Sequence, residues 1–377
     1  MTAFRFIHAS DLHLGRRFAN IPQPEDGNIR GRLMEARHGV IARLAQAARD
    51  HGAAHVLLAG DTFDTATPSP SVLRQALTAM AEDPDLTWWL LPGNHDNLTN
   101  AEPLWERLSA EAPATVRPLL DATPRIMTET ACLLPAPVTH RAPGRDLTEG
   151  LGAMPSPDGA FRIALAHGGV TDFEDTGAHI PPDRAARARL DYLALGDWHG
   201  RLQIDARTHY PGTPEQDRFK HGRRGLCLAV SIEVPGATPE VTEVETGQFW
   251  WTEADLPVQA GLDTAAALDR LLPPSGRRDV LMRVRATGWA SLAQRADLVR
   301  AIHAAAPDFA WLTLNAEALG ALLDDVDLDT IDHAGALRQA AETLKTEAEN
   351  PDLSAEDRGV AAEALARLYA YVTEQPA

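Results

Sequence analysis

The chain has 377 residues, enough to bury a large core, and is expected to form two or more domains. A formal net charge of −18 excludes a protein that is basic all over, though a local groove or bound metal ions can still draw phosphate. Two cysteines, Cys132 and Cys227, exclude a disulfide scaffold and a thiolate metal site, and suit a reducing compartment. No apolar run approaches the roughly twenty residues of a membrane span. The first apolar run leads straight into Asp11 with no cleavage-site pattern, so a soluble cytoplasmic protein without a membrane partner is expected.

Residues 4–10 read as a buried strand that runs into Asp11-Leu12-His13. After a polar loop, residues 33–51 have helical spacing, with Val40, Leu44 and Ala47-Ala48 facing the core and Arg37, Arg43 and Arg49 facing out. Residues 55–59 form a second strand, into Gly60-Asp61-Thr62-Phe63-Asp64. Pro68-Ser69-Pro70 opens a helix over 71–80, and the apolar run Trp88-Trp89-Leu90-Leu91 ends at Pro92-Gly93, delivering Asn94, His95 and Asp96. Gly93 is expected where a side chain would clash. Alternating strands and helices imply a mainly parallel sheet covered by helices, an α/β class.

The stretch 101–157 is proline-rich; residues 125–134 read as one or two strands with a turn at a sheet edge. Residues 162–166 run into His167, and 192–195 into Gly196-Asp197-Trp198-His199. Between them, the loop 170–187 carries Asp172, Glu174, Asp175 and His179, which suits a rim over a site or simply a solvated loop. Residues 226–234 and 241–245 read as antiparallel strands, so a second sheet packed on the first is expected.

Composition shifts near Phe249-Trp250-Trp251. Residues 255–264 lack a strong period, 265–272 look helical, 280–286 alternate as a strand, 291–304 form a helix and 309–314 a strand. This is a small α/β module without a metal-type cluster. From about residue 330 the tail is helical with a break at Asn350-Pro351. Leu337, Ala341, Leu344, Ala361, Leu365, Leu368 and Tyr369 form its apolar faces, suited to packing on the body or docking a partner. The expected divisions are 1–250, 251–328 and 329–377.

Five strand ends thus deliver Asp11, His13, Asp61, Asn94, His167, Asp197 and His199, expected at one edge of a sheet where open α/β sheets place ligands. Singly, a histidine such as His167 is more often structural and Gly-Asp is a common turn. Independent turns would not share one order and one placement. His8, His55, His209 and His221 read as structural or surface residues. Thr213 and Glu215 fit either substrate contact or a turn at Pro211-Gly212. An oxygen and imidazole set without sulfur favours Mn²⁺, Fe²⁺ or Mg²⁺, with Zn²⁺ admissible. Seven ligands suit two ions with one carboxylate bridging, an arrangement suited to phosphate ester hydrolysis.

The order Asp-x-His, Gly-Asp-x-x-Asp, Gly-Asn-His-Asp, His, Gly-x-x-His resembles the calcineurin-like metallophosphoesterases. His8-Ala-Ser-Asp-Leu-His-Leu-Gly15, Gly60-Asp-Thr-Phe-Asp64 with Pro68-Ser69, and Tyr210-Pro-Gly-Thr-Pro-Glu215 resemble the SbcD-type repair nucleases within that superfamily. The resemblance covers about two-thirds of the chain. It implies a two-sheet metallophosphoesterase sandwich flanked by helices, with a small α/β capping module and a C-terminal helical tail. By position, Asp11, His13 and His199 would hold one ion, Asn94, His167 and Asp197 the other, and Asp61 would bridge. His95 would act on the phosphate, Asp96 could orient its ring, and Asp64 is adjacent to the site. The family pattern Gly-His-x-His is Gly-Asp-Trp-His here, so Asp197 replaces an imidazole. The resemblance further implies Mn²⁺ as cofactor, DNA ends as substrate, a homodimer, and an SbcC-type coiled-coil ATPase partner docked by the tail. The alternatives are a phosphodiesterase for small substrates such as cyclic nucleotides, and a scaffold subunit whose site has degraded at Asp197.

Overall fold

The computed structural model describes residues 3–23, 27–170, 179–322, 325–332 and 335–374. It comprises two compact units, Met1–Trp250 and Trp251–Ala377. The first unit begins with the strand Phe4–Ala9 (β1), the helices Ile29–His38 (α1) and Val40–Asp50 (α2), the strand His55–Leu58 (β2), the helix Pro70–Ala81 (α3) and the strand Thr87–Leu90 (β3). The helix Glu102–Glu111 (α4) follows, then the strands Val116–Pro118 (β4), Arg125–Thr128 (β5), Ala131–Ala136 (β6) and Phe161–His167 (β7). After a short helix, Arg184–Arg187 (α5), come the strands Tyr192–Gly196 (β8), Leu202–Gln203 (β9), Thr208–Tyr210 (β10), Leu226–Ile232 (β11) and Glu240–Glu245 (β12).

These strands form two six-stranded sheets, ordered β12-β11-β1-β2-β3-β4 and β5-β6-β7-β8-β10-β9. Side chains alternate along a strand, so each sheet has two faces to bury. Phe6, Leu57 and Trp89 of the first sheet meet Leu133, Ile163, Leu165 and Tyr192 of the second in one core cluster. On the other face of the first sheet, Ile7, Val56 and Trp88 pack with Val40, Leu44, Leu77 and Trp105 of the helices. Each fully buried side chain of this size contributes about 1.5–3 kcal/mol. The architecture is a mixed α/β sandwich of two large sheets flanked by helices.

Four expectations are corrected. The strands 226–234 and 241–245 do not found the second sheet. They pair antiparallel on the free edge of β1, with Phe4 opposite Ile232, and the second sheet is built from residues 125–210. Consequently the five strand ends do not lie on one sheet. Those after β1, β2 and β3 belong to the first, and those after β7 and β8 to the second. Alternating apolarity shows that a strand is buried but not which neighbour completes its hydrogen bonds. The helix expected over 33–51 is two helices parted at Gly39, where ψ is −11°. Arg37 is buried, and its guanidinium donates to the carbonyls of Leu12 (2.6 Å) and Glu215 (2.8 Å). Arg43 likewise turns in, onto Glu215 at 2.8 Å. Both arginines therefore anchor the 213–217 loop.

The second unit holds the strand Trp250–Val258 (β13), the helix Thr264–Leu271 (α6), the strand Val280–Ser291 (β14), the helix Leu292–Ala305 (α7) and the strand Trp311–Leu322 (β15). β13 runs to Val258, into the stretch 255–264 where no strong period was legible. β14 and β15 pair in parallel, with β13 third in the sheet. A capping box at Ser291 and Gln294 starts α7. The helices Asp325–Ile331 (α8), Ala336–Glu349 (α9) and Ala355–Glu374 (α10) follow. Leu292 and Ala296 of α7 share a core with Ala341, Leu365 and Tyr369. Part of each apolar face in the tail is thus covered within this unit. Among the described residues, no helix is long and apolar enough to cross a membrane.

Candidate metal centre

Four of the candidate residues sit in a backbone conformation that L-residues rarely adopt. φ is +56° at Asp11, +45° at His13, +52° at Asp61 and +103° at Asp197. Such positions cost about 1–3 kcal/mol each and persist only where the surroundings hold them. Here the loops after β1 and β2 hold each other. The N–H groups of Asp11, His13 and Leu14 donate to the carbonyls of Gly60 (3.1 Å), Asp61 (3.0 Å) and Thr62 (2.9 Å). Parallel pairing so continues past the strands and aligns three ligand candidates. Two glycines permit the close approach of the remaining strand ends. A Cβ on Gly93 would lie 2.2 Å from Asp61 Oδ1, and one on Gly196 would lie 1.9 Å from the Ala59 carbonyl oxygen.

The structure brings all seven proposed ligands to one place, between the two sheets. Asp11, His13 and His199 form one group whose ligand atoms lie within 4.8 Å of one another; Asp11, Asp61 and His167 form a second. The two oxygens of Asp61 divide between them: Oδ2 is 3.7 Å from Nε2 of His13, and Oδ1 is 3.6 Å from Nε2 of His167. Nε2 of His13 and Nε2 of His199 converge to 3.2 Å. Asp197 borders the second group, with Oδ1 3.7 Å from His167 Nε2 and 3.0 Å from the Asn94 amide nitrogen.

Among the described residues, the buried polar atoms of this site that lack a hydrogen-bond partner include Asp11 Oδ1, Asn94 Oδ1 and His167 Nε2. Leaving such atoms unpaired is costly, and metal ligation would satisfy them. The electrostatics agree. Burial, with Asp11 and Asp197 nearby, pushes the Asp61 carboxyl up to about 7 against the pull of His167. Burial and the charge of Asp61 push Asp96 up to about 7. For His167, burial is outweighed by Asp61, Asp11 and Asp197, and its pKa rises to about 9. Clustered carboxylates in a dry site lack positive charge, which divalent ions supply. The residues present therefore fit a pair of divalent ions.

Several partners were not legible in the sequence. Nδ1 of His167 donates to the Ala59 carbonyl at 2.8 Å, which turns Nε2 toward the site. Nδ1 of His199 lies 3.3 Å from the carboxylate of Asp217, which is buried and also touches Arg16 at 3.1 Å. Despite burial, His199, Arg37 and Arg16 hold the Asp217 carboxyl well below its usual range. The only sequence signal for Asp217 was its place just after the Thr213–Glu215 motif.

His95 lies over the first group, its ring 4.8 Å from that of His13, and it forms a third candidate ligand group with His13 and Asp64. Its backbone N–H donates to Asp61 Oδ1 (2.9 Å) and its Nδ1 to the Asp64 carbonyl (2.9 Å). The expectation that Asp96 orients the His95 ring is corrected. The Asp96 carboxylate accepts from the N–H groups of Gly93 (2.6 Å) and Phe63 (3.1 Å) and ties two loops together. Each carboxylate oxygen thus has a backbone donor fixed in place. Thr213 and Glu215 are also buried: Thr213 donates to the Asp11 carbonyl (2.9 Å), and Glu215 accepts from Gln248 (2.7 Å) and Phe249 (3.0 Å). Both side chains brace loops. His8, between Tyr192 and the Leu195 carbonyl, is structural. His179 is half-buried, while Asp172, Glu174 and Asp175 lie outside the described residues.

Residues 4–227 match the family model of the calcineurin-like phosphoesterases. The uncharacterized metallophosphoesterase YhaO of Bacillus subtilis (strain 168) is 28% identical over 244 residues, covering 60% of this chain and 57% of that protein. The chain therefore spans little over half the length of this relative. The crystal structure of TT1561 of Thermus thermophilus matches at 12% identity and a TM-score of 0.38, covering 64% of this chain and 99% of that one.

Proposed function

Since the chain belongs to the calcineurin-like phosphoesterase family, a family of metal-dependent phosphoester hydrolases, we propose that it is a dimetal phosphodiesterase that cleaves DNA. The observation that carries the hydrolase reading is the division of Asp61 between two histidine groups ringed by unpaired buried ligand atoms. Two divalent ions, Mn²⁺ by preference, would supply activation of water and neutralisation of phosphate charge there. Asp11, His13 and His199 would hold one, Asn94, His167 and Asp197 the other, with Asp61 shared. His95 has its Nδ1 committed to the Asp64 carbonyl, so Nε2 is the nitrogen left to hand a proton to the leaving oxygen.

Support for a polymeric substrate comes from an open cleft of about 1290 Å³ that starts at His95 and Asp64 and is walled by Arg16, Arg17 and Arg32. It exceeds the about 300–1000 Å³ typical of small-molecule pockets. Support for a docked ATPase comes from Leu337, Val360 and Tyr371, which stay exposed on the tail helices. A homodimer acting on DNA ends in the cytoplasm completes the reading. The test is digestion of linear duplex and single-stranded DNA with Mn²⁺, beside a cyclic dinucleotide and a chromogenic phosphodiester. Cleavage of the small substrates alone would replace DNA by a cyclic nucleotide. Failure on all four would leave the scaffold reading.

A further inference from the structure

His199 has a second side, facing away from the other ligands. There Trp198, Arg201, Arg218, His221, Arg223 and Arg224 line a cavity of about 250 Å³. The indole of Trp198 is half-buried. The Lys220 ammonium lies 4.6 Å from its ring centroid, and the His221 ring stands edge-on to it at 5.3 Å. Gly200 lets these rings close up, since a Cβ there would lie 2.6 Å from His221 Nδ1 and 3.0 Å from Trp198 Nε1.

The charge here runs against that of the chain. Around the cavity, among the described residues, Arg201, Arg218, Arg223, Arg224 and Lys220 face two carboxylates. Glu243 takes Arg201 (3.0 Å) and Arg223 (2.7 Å), and Asp217 takes Arg218 (3.0 Å). Arg224 donates to the Gln248 carbonyl, which brings no compensating charge. In a chain of net charge −18 this is a local basic pocket. An aromatic platform beside surplus cations, next to a centre that handles phosphate, is the combination that holds a base and its phosphate together.

We propose that this cavity is a nucleotide subsite, with a base stacked on Trp198 and its phosphate held by Lys220 and Arg224. It rests on the phosphodiesterase reading only in placing that nucleotide beside the scissile bond. A stacked base holds a ring face more strongly than an exposed ammonium does, so the base takes the face of Trp198 and frees Lys220 for the phosphate.

The test is calorimetric titration of the full chain, treated with EDTA and at low salt, with deoxyadenosine monophosphate, deoxyribose 5-phosphate and inorganic phosphate. The nucleotide should bind at least about fivefold more tightly than the sugar phosphate. Trp198→Leu should abolish that difference, and Lys220→Ala should weaken both organic probes severalfold. Lys220 is exposed, so its variant stands even if Trp198→Leu misfolds. Equal binding of nucleotide and sugar phosphate, or a Lys220→Ala protein unchanged toward both, overturns the proposal. No metal is present in this assay. Absence of nucleotide binding alongside Mn²⁺-dependent cleavage of a chromogenic diester would reject the subsite alone. The converse would reject the phosphodiesterase reading alone.

Discussion

The side-chain amide of Asn94 donates to Oδ1 of Asp197 at 3.0 Å, joining the strand end after β3 to the one after β8. These two residues come from different sheets, and they meet at the position where the resemblance led one to expect a histidine. The bond aims the Asp197 carboxylate toward His167 and leaves Asn94 Oδ1 buried and unpaired. The Asp197 carboxylate thus stands at the border of the group formed by Asp11, Asp61 and His167.

Asp197→Ala should therefore leave one divalent ion tightly bound and the other weak, with diester hydrolysis nearly lost. Asp197→His should keep two ions and shift preference from Mn²⁺ or Mg²⁺ toward Zn²⁺, because an imidazole is the softer ligand. Metal content after dialysis, with competition titrations, reads both. Two tightly held ions in Asp197→Ala would show that the carboxylate is a bystander.

His95→Gln should retain both ions and lose about 10²–10⁴-fold in kcat, the usual share of a proton-transferring group. If elemental analysis instead finds an ion missing, His95 is a ligand together with His13 and Asp64.

Asp217→Asn should weaken binding of one ion by about 10–100-fold, the cost of losing the partner that fixes a ligating imidazole. The fold should survive, since the amide still accepts from Arg16. Calorimetry with Mn²⁺ checks the affinity; an unchanged value would confine Asp217 to holding its own loop.

Stability of the metal-free protein should fall as pH rises from 7 to 9. An ordinary histidine titrates near 6.5, while His167 keeps its proton to about 9 in the fold. Between those values the folded state binds more protons than the unfolded chain, so its advantage is full below 6.5 and lost as pH climbs through 9. The whole effect is on the order of 3–4 kcal/mol. His13, pushed down to about 4 by burial, acts in the opposite sense and only below 6.5, where the unfolded chain takes up the proton first. Denaturant midpoints across pH 7–9, with EDTA and with saturating Mg²⁺, test this. The slope should flatten with metal, which competes with the proton for Nε2; equal slopes would refute it.

The sequence by itself determined that five buried strands end in Asp, Asn and His, because alternating apolarity and the glycines at Gly60, Gly93 and Gly196 are local properties of the chain. It also held the candidate donors, since the oxygen and imidazole side chains at those strand ends are read directly from the chain. Tertiary structure alone decided that those ends come from two sheets. A strand's pattern records which of its faces is buried, whereas its neighbour depends on edges far away in sequence. For the same reason only the fold could show that Arg37 turns inward and that Asp217 orients His199. It also showed that Asp96 serves the backbone of Gly93 and Phe63. A buried charge is tolerated where distant carbonyls, amides or rings happen to satisfy it, and no local pattern in the chain records those partners.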